Sequence, residues 1–298
     1  MLKSDILNQV GKIYSQGGNI IQFINQLEKN ENNTKEGILI SYDYQAGSYL
    51  SNYKDKTERF HKYSGQLVNE MKRLGKFNSI LEAGIGEATT FKNVTQNMDM
   101  PYDKCYGFDI SWSRLKVAKG FLSEDTPGTQ HIFVADLSNI PLCDNAIDLV
   151  YTAHSVEPNG GNEKQILQEL YRVTKNFLVL FEPDSELAGS EARKRMEIHG
   201  YVKNLVGVAK SLGYNVIKNE LLQYSLNALN PTSVIVIEKE QNAGDGEPHF
   251  CCPITKTKLN DCGDVFFSPQ SRLMFPVIQG IPCLLDSQAI LGCKYGEI

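Results

Sequence analysis

The most informative stretch of the chain reads Ser79-Ile80-Leu81-Glu82-Ala83-Gly84-Ile85-Gly86-Glu87-Ala88-Thr89. Ile80 and Leu81 predict a buried strand, and the residues at the end of the stretch are compatible with a helix. Between them, Gly84 and Gly86 allow a tight turn and a close approach of the backbone to a ligand, because neither carries a Cβ atom. The stretch therefore predicts a ligand-binding turn at the carboxyl end of a strand.

The residues around this turn distinguish two classes of nucleotide ligand. A dinucleotide-binding turn carries a third glycine, but Thr89 stands at that position. Glu82, two residues before Gly84, suits a ligand with a cationic amine and would repel a pyrophosphate. These residues favour S-adenosylmethionine over NAD as the cofactor.

Two later strands end in acidic residues. Cys105 to Ser111 predicts a short apolar strand that reaches Asp109, 23 residues after Gly86. In a doubly wound sheet, the ribose of a nucleotide ligand lies at such a carboxylate. His131 to Leu137 predicts a third strand, which reaches Asp136, and a fourth strand follows it. The sequence therefore predicts a parallel α/β sheet with carboxylates at the ends of neighbouring strands.

The run from Ser79 to Pro183 resembles the class I S-adenosylmethionine-dependent methyltransferases of the broad bacterial methyltransferase-domain type. The matching phrases are Glu82-Ala83-Gly84-Ile85-Gly86, Phe108-Asp109, Ala135-Asp136-Leu137, Ile140-Pro141-Leu142 to Asp148-Leu149-Val150, and Glu169-Leu170-Tyr171-Arg172-Val173 before Phe177-Leu178-Val179-Leu180-Phe181-Glu182-Pro183. One departure is that Thr174-Lys175-Asn176 lacks the usual Pro-Gly-Gly turn before the fifth strand, and we assign this departure to a loop.

The resemblance implies roles for several residues. In this family the glycine turn holds the methionine portion of the cofactor, the carboxylate that matches Asp109 binds the ribose hydroxyls, and the one that matches Asp136 binds the adenine amine. S-Adenosylhomocysteine would be the product. The expected cofactor-binding residues are Tyr42, Tyr49, Glu82, Gly84, Gly86, Asp109, Ile110, Asp136, Leu137 and His154.

Length and composition indicate more than one structural part. With 298 residues, 41% of them hydrophobic and 22% charged, the chain can form an α/β core and a small additional module. We place an N-terminal helical lid at residues 1–77, the cofactor-binding core at 78–240 and a small module at 249–298, after a linker by composition at 241–248. The predicted fold class is α/β: a doubly wound, seven-stranded, mostly parallel Rossmann-like sheet with an N-terminal helical lid and a small C-terminal β-rich domain.

Charge and hydropathy restrict the partners of the protein. The net charge is −5 and no basic block occurs, which argues against a nucleic acid as the principal partner. The sequence has no run of about 18 apolar residues, and its polar start lacks the apolar centre of a signal peptide. We therefore expect no membrane association, a cytoplasmic location and a small-molecule acceptor as the partner, with homodimer formation left open.

A tyrosine-rich segment precedes the first strand. Tyr42, Tyr44 and Tyr49 surround Gln45-Ala46-Gly47. The segment is similar to one that, in related bacterial methyltransferases, precedes the fold and closes over cofactor and acceptor. The alternative is a helix whose tyrosines pack on the core. Both interpretations stay open at this point.

The tail raises the question of a metal site. Five of the seven cysteines follow residue 250, and a disulfide framework would be unusual in a large cytosolic chain. Cys252 to Leu259 and Phe275 to Pro282 resemble the small zinc-ribbon-like domains that are fused to, or partner, methyltransferases. A zinc ribbon needs two close ligand pairs, but Thr255 occupies the place of the second cysteine and the other cysteines lack C-x-x-C spacing. We therefore expect no metal ligands in a module that is held together by apolar packing.

Candidate catalytic residues follow the fourth and fifth strands, where the sheet edge opens toward the cofactor. Methyl transfer from a sulfonium is an in-line displacement, so the protein mainly aligns the acceptor and removes a proton where needed. His154 is the preferred general base, because its reference pKa of about 6.5 leaves it neutral and basic near pH 7. Its alternative role is to line the cofactor pocket. Glu157 and His199 complete the predicted catalytic set, although His199 also fits a solvated position.

Three functions are compatible with these residues. The first is a methyltransferase that acts on an oxygen or nitrogen of a small molecule, with a nucleotide sugar or surface-glycan precursor as the acceptor to test first. The second is a catalytically degenerate binding or scaffold protein, or a methyltransferase of a protein or RNA. The third, an NAD dehydrogenase, is disfavoured by Thr89 and Glu82.

Overall fold

The first part of the chain is helical. A computed structural model describes residues 4–123, 130–240 and 247–295. The helices that precede the first strand are α1 Ser4–Ser15, α2 Ile20–Glu28, α3 Lys35–Tyr44, α4 Ser48–Asp55 and α5 Thr57–Lys72. Side chains cap two of them, because Asn19 Oδ1 accepts from Gln22 N at 3.0 Å and Thr34 Oγ1 accepts from Gly37 N at 3.1 Å.

The central sheet is of the predicted type. Within the described ranges it has seven strands: β1 Ile80–Ala83, β2 Cys105–Asp109, β3 His131–Val134, β4 Ile147–Ala153, β5 Thr174–Pro183, β6 Asn215–Leu221 and β7 Thr232–Glu238. Their order is β3-β2-β1-β4-β5-β7-β6. β7 runs antiparallel to β5 and β6, its two neighbours, and the other pairs of neighbouring strands are parallel. The predicted seven-stranded, mostly parallel sheet is confirmed.

Both faces of this sheet are covered by apolar packing. The flanking helices are α6 Thr89–Asn97, α7 Trp112–Ser123, α8 Glu163–Val173, α9 Ser190–Ile198 and α10 Leu205–Ser211. Successive strand residues point to opposite faces, so Leu178 and Leu180 join one core cluster, whereas Val179 and Phe181 join the other. This two-sided burial explains why the parallel strands read as continuous apolar runs.

The segment Thr174 to Asn176 corrects one prediction. We assigned it to a loop before the fifth strand, but β5 begins at Thr174, directly after α8 ends at Val173. The Thr174 hydroxyl donates to Leu170 O at 2.7 Å, and the residue is fully buried beside Ile147 of β4. A β-branched residue with this bond ends the helix and starts the strand at once, so no turn is needed.

The tail forms a small antiparallel sheet, as predicted for the C-terminal part. Its strands are β8 Asn260–Asp261, β9 Val265–Ser268, β10 Leu273–Ile278, β11 Ile281–Pro282 and β12 Ile290–Leu291. The strand order is β11-β10-β9-β8, with β12 paired to β10. Of the predicted linker, residues 241–246 lie outside the described ranges.

The tail packs closely on the central sheet. Leu284 N donates to Val134 O at 3.0 Å, and Cys283 forms a parallel bridge with Val134. Side chains of the tail, including Leu284 and Phe275, belong to the same apolar cluster as one face of the central sheet. The tail therefore covers β3, the edge strand that leads to Asp136.

The tail positions that would bind zinc in a ribbon contact one another or nearby hydroxyls. Thr255 Oγ1 lies 2.8 Å from Thr257 Oγ1, and Cys252 Sγ lies 3.5 Å from Ser271 Oγ. Among the described residues, no three His, Cys, Asp or Glu side chains are grouped to hold a metal ion. The zinc-ribbon resemblance is not confirmed, and the absence of metal stays a prediction.

The helices in the described residues were compared with the length and hydropathy that a membrane-spanning helix needs. None of them is both long enough and apolar enough to cross a membrane. The cytoplasmic location stays a prediction.

Candidate active site

A cavity of about 450 Å³ opens at the carboxyl ends of β1, β2, β3 and β4. This is the edge at which ligands bind in doubly wound sheets. The predicted site residues that line it are Tyr42, Tyr49, Glu82, Gly84, Gly86, Asp109, Ile110, Asp136, Leu137, His154 and Glu157. The remaining one, His199, does not line this cavity and instead stacks on Tyr201 with ring centroids 5.4 Å apart.

The glycine turn after β1 is held by backbone hydrogen bonds. Neighbouring side chains leave no room for a Cβ atom on either glycine. The amides of Gly84 and Ile85 both donate to Phe108 O at 2.8 Å, and both glycines have positive φ, 84° and 54°. A Cβ atom on Gly84 would lie 2.3 Å from Ser155 Cβ, and one on Gly86 would lie 2.3 Å from Arg114 Nη2. Both positions therefore require glycine, and the turn forms a cradle open to a ligand.

Glu82 is the third residue of β1, two residues before Gly84, and lines the cavity. It is 2% exposed, and the Tyr151 hydroxyl donates to its Oε2 atom. Burial raises the pKa of Glu82 to about 8, although the bond from Tyr151 acts in the opposite direction. A buried carboxyl with so high a pKa would be stabilised as a carboxylate by a cationic amine in the cavity.

Asp109 and Asp136 are oriented by the turns that follow their strands. Asp109 Oδ2 accepts from Gly86 N at 2.9 Å, and its Oδ1 accepts from Ser111 N at 2.9 Å. Asp136 Oδ1 accepts from Ser138 N at 3.0 Å, while its Oδ2 pairs with Lys35 Nζ at 2.6 Å. Each carboxylate is thus held at the cavity wall with a defined direction.

Helices α3 and α4 cover the cavity through contacts with the turns beneath. Asp43 Oδ1 of α3 accepts from Ser111 Oγ at 2.7 Å. Glu87, which is 1% exposed, accepts from Gly47 N at 2.9 Å and from Leu50 N at 2.6 Å. These two amides lie at the amino-terminal end of α4, so Glu87 caps this helix from a distant part of the chain. Tyr42 and Tyr49 of the tyrosine-rich segment therefore line the cavity, and the role of this segment as a lid stays a prediction.

Arg114 is a cavity residue that sequence reasoning missed. It is 8% exposed, and its guanidinium carbon lies 5.0 Å from the Tyr42 ring and 4.5 Å from the Tyr49 ring. Burial alone would lower the pKa of Arg114, but Asp109, the two tyrosines and Glu87 raise it above its ordinary value. The available signal was a single arginine two residues after Trp112, in a helix whose other inward positions are apolar.

His154 directly follows β4 at the cavity wall and contacts residues from three segments. Its Nδ1 atom lies 2.7 Å from Glu157 Oε2, and its Nε2 atom lies 2.7 Å from Thr232 Oγ1. A carboxylate can only accept, so Nδ1 carries a proton and the neutral ring accepts from Thr232 through Nε2. Burial lowers the pKa of His154, but the charge and hydrogen bond of Glu157 outweigh this and raise it. Asn230 Nδ2 donates to Glu157 Oε2 at 2.9 Å and completes the arrangement.

The turn that presents His154 is fixed by a buried carboxylate. His154 has φ 57°, a conformation that is uncommon for residues other than glycine. The carboxylate of Glu182, at the end of β5, accepts from the amides of Ser155, Val156 and Glu157 at 3.0, 3.1 and 3.1 Å. These bonds compensate for the strained backbone and hold the imidazole at the cavity.

Several partners of this turn could not be predicted, because they come from distant segments. Thr232 is the first residue of β7, Asn230 lies in the loop before this strand, and Asn230 and Tyr63 of α5 line the cavity. In sequence they are ordinary polar residues without a motif. Thr232 and Asn230 reach this turn only because the sheet order brings β7 beside β5.

Comparison with known proteins agrees with this geometry. The matching sequence family is described as a methyltransferase domain, and the match covers residues 80–176. Among curated proteins, none matches the chain. The solved magnesium protoporphyrin IX methyltransferase of Synechocystis, with bound SAH, is 13% identical with a TM-score of 0.51, over 67% of this chain and 99% of that chain.

A second solved structure is a complex between the Haloferax volcanii Trm112 methyltransferase activator and a methyltransferase. A chain of that complex is 13% identical with a TM-score of 0.53, over 68% of this chain and 100% of that chain. At these identities the likeness shows the fold alone. Residues 80–176 thus match a methyltransferase domain in sequence, and the chain shares the fold of solved methyltransferases.

Proposed function

We propose that the protein transfers a methyl group from S-adenosylmethionine to an oxygen or nitrogen of a small molecule. The observation that supports this most directly is that one cavity joins the glycine cradle, Asp109 and Asp136 to the His154–Glu157 pair. The glycine cradle, Asp109 and Asp136 fit the cofactor, since the cradle leaves no room for a Cβ atom and the two carboxylates are held at the cavity wall. The His154–Glu157 pair offers a base in the same cavity.

The cavity size favours a small acceptor. Pockets of about 300–1,000 Å³ hold one drug-sized ligand, and S-adenosylmethionine alone is a ligand of that size. In a cavity of about 450 Å³, little room remains beside the cofactor. The acceptor is therefore small, or it inserts one end group and leaves the rest at the mouth.

The mouth of the cavity suits a hydroxyl-rich, anionic acceptor such as a nucleotide sugar or glycan precursor. Asn52, Lys56, Arg59 and Asn227 line it. Lys56 and Arg59 are exposed, so they can meet a phosphate group without the cost of burying a charge. The amides of the two asparagines can bind sugar hydroxyls.

S-Adenosylmethionine, when bound, supplies the methyl group. The residues of this chain align the acceptor and accept its proton. Glu157 holds the His154 Nδ1 proton, which leaves Nε2 as the basic atom, and removal of a proton from the acceptor requires Nε2 to give up its bond to the buried Thr232 hydroxyl. The raised pKa makes the imidazole a stronger base, and Glu157 stabilises the imidazolium that forms. Exclusion of water by the overlying helices favours direct transfer.

His154→Ala is expected to retain cofactor binding and to lose about 10²–10⁴-fold in turnover, the usual contribution of a general base. Glu157→Gln should lose less, because an amide oxygen still accepts from Nδ1, and its rate profile should move to lower pH as the pKa of His154 falls. The turnover of both variants is measured as the formation of S-adenosylhomocysteine. The acceptors are a panel of nucleotide sugars, sugar phosphates and small amines.

The outcomes of this panel also separate the alternatives. Turnover of His154→Ala within a few-fold of the parent would assign His154 to the pocket wall. Cofactor binding without transfer to any small acceptor would favour a binding or scaffold protein. Transfer of label only to protein or RNA would favour a macromolecular substrate.

We also propose that the tail supports the site as a built-in accessory, comparable in purpose to the separate activator in the Haloferax complex. Its support is the attachment of Leu284 and Cys283 to Val134, two residues before Asp136. Leu284→Asp, which places a charge in the shared core, should lower the melting temperature and weaken cofactor binding. Leu291→Asp is the matched control, since Leu291 is 68% exposed. Unchanged cofactor affinity in Leu284→Asp would contradict the proposal.

A further inference from the structure

Arg114 is a buried cation whose hydrogen-bonding capacity is not used. Its Nε atom is buried without a partner among the described residues. Its contacts to carboxylates are long: Nη1 lies 3.8 Å from Asp109 Oδ2, and Nε lies 4.0 Å from Glu87 Oε1. Both distances exceed those of a hydrogen bond. A guanidinium carries five N–H donors, so this side chain needs an acceptor that the described residues do not supply.

The neighbouring carboxylates are already engaged by backbone amides. Glu87 accepts from the first turn of α4, and Asp109 accepts from Gly86 N and Ser111 N. They neutralise the charge of Arg114 at a distance but do not bind its donors. The rings of Tyr42 and Tyr49 restrict the guanidinium further, since they lie against it. Its orientation is fixed while its donors stay free.

The position of the side chain points to the class of acceptor. Nη2 lies over Gly86 in the cavity, where a Cβ atom would be 2.3 Å away. Glu82 lies at the other end of the same turn and fits a cationic amine. The cavity has two further cations in the described chain, Lys56 and Arg59, and both are exposed at the mouth. The glycine turn thus has an anionic side chain, Glu82, at one end and a cationic side chain, Arg114, at the other.

We propose that Arg114 binds the carboxylate of the cofactor and makes the site selective for it. The carboxylate is the single anionic group of S-adenosylmethionine, and it shares a carbon with the amine that Glu82 fits. A planar guanidinium recognises a carboxylate through two parallel hydrogen bonds. This role rests on the cofactor assignment and does not depend on the acceptor or on His154.

The experiment compares two ligands that differ in this group alone, S-adenosylmethionine and its decarboxylated form. Calorimetric titration measures both with the parent, Arg114→Met, Arg114→Lys and the control Lys116→Met. Lys116 is an exposed residue of the same helix. We expect the parent to prefer the carboxylated ligand by about tenfold to a hundredfold. Arg114→Met should lose this preference while its affinity for the decarboxylated ligand changes little, Arg114→Lys should retain part of it, and Lys116→Met should retain all of it.

Three results would overturn the proposal while leaving the cofactor assignment in place. Equal weakening of both ligands in Arg114→Met would make Arg114 a packing residue, tighter binding of both would make it an obstruction, and an unchanged preference would exclude it from carboxylate recognition. A parent that binds neither ligand would overturn the proposal and the cofactor assignment together. Melting curves of each variant without ligand identify any variant that fails to fold. If Arg114→Met fails to fold, the parent is compared with Arg114→Lys instead.

Discussion

At the scale of single residues, Glu82 makes cofactor binding sensitive to pH. Its pKa of about 8 in the free protein means that it is mostly protonated at pH 7. Binding a cationic amine requires the ionised form, so affinity for S-adenosylmethionine should rise as pH increases from 6 to 8, by up to about tenfold per unit. Calorimetric titrations with S-adenosylmethionine between pH 6 and pH 8 test this pH dependence. Glu82→Gln should bind more weakly with little pH dependence, and a parent affinity that is constant over this range would contradict the prediction.

Asp109 is expected to be the main polar contact of the cofactor ribose. Hydrogen bonds to a charged group contribute about 1.5–3 kcal/mol, so Asp109→Ala should weaken binding of S-adenosylmethionine and S-adenosylhomocysteine roughly tenfold to a hundredfold. Asp109→Asn should fall between. The amide of Asn could still accept from Gly86 or Ser111, but without the charge. Titration with NAD is the control, and a mutant that binds both adenosyl compounds like the parent would disprove the assignment.

At the scale of structural elements, the contact between Glu87 and α4 couples the lid to the cofactor turn. Replacing a helix cap costs about 0.5–2 kcal/mol, so Glu87→Ala should accelerate amide exchange in residues 47–55 by about twofold to thirtyfold. Hydrogen exchange with mass spectrometry measures this. Thr34→Ala, which removes the cap of α3, is the matched control and should affect residues 35–38 instead.

The same measurement tests whether the tyrosine-rich segment is a lid. Cofactor binding should slow exchange in residues 42–49 of the parent, because the aromatic side chains then exclude water. The slowing should be smaller in Glu87→Ala. Unchanged exchange in the parent would leave Tyr42 and Tyr49 as residues of the core.

At the scale of the whole molecule, the tail should carry no stoichiometric metal. The position of the second zinc ligand holds Thr255, and its hydroxyl already contacts Thr257. Elemental analysis of protein purified without added metal is expected to find far less than one zinc per chain. Stoichiometric zinc that resists dialysis would contradict this, and Cys252→Ser then shows whether Cys252 holds it.

The fold could be predicted from sequence because its signals are local. Gly84, Asp109 and Asp136 each follow a short apolar strand, and parallel strands bring such ends to one edge of a sheet. The prediction failed at Thr174, where one side-chain bond replaces a turn. It could not identify Arg114, Glu87 or Thr232 as parts of the site, because their roles depend on packing between elements that are distant in sequence.

The pairing of Val134 with the tail has a consequence for biosynthesis. A ribosome delivers the chain from its amino end, and early parts begin to fold during synthesis. The bridge to Cys283 closes an interval of 149 residues, so β3 stays an open edge until residue 283 has been synthesised. Long-range pairing of this kind slows folding and exposes a strand edge to aggregation. A product that ends before residue 283 would keep the glycine turn and Asp136 but would lack the cover of β3, and it would therefore expose this strand edge to aggregation.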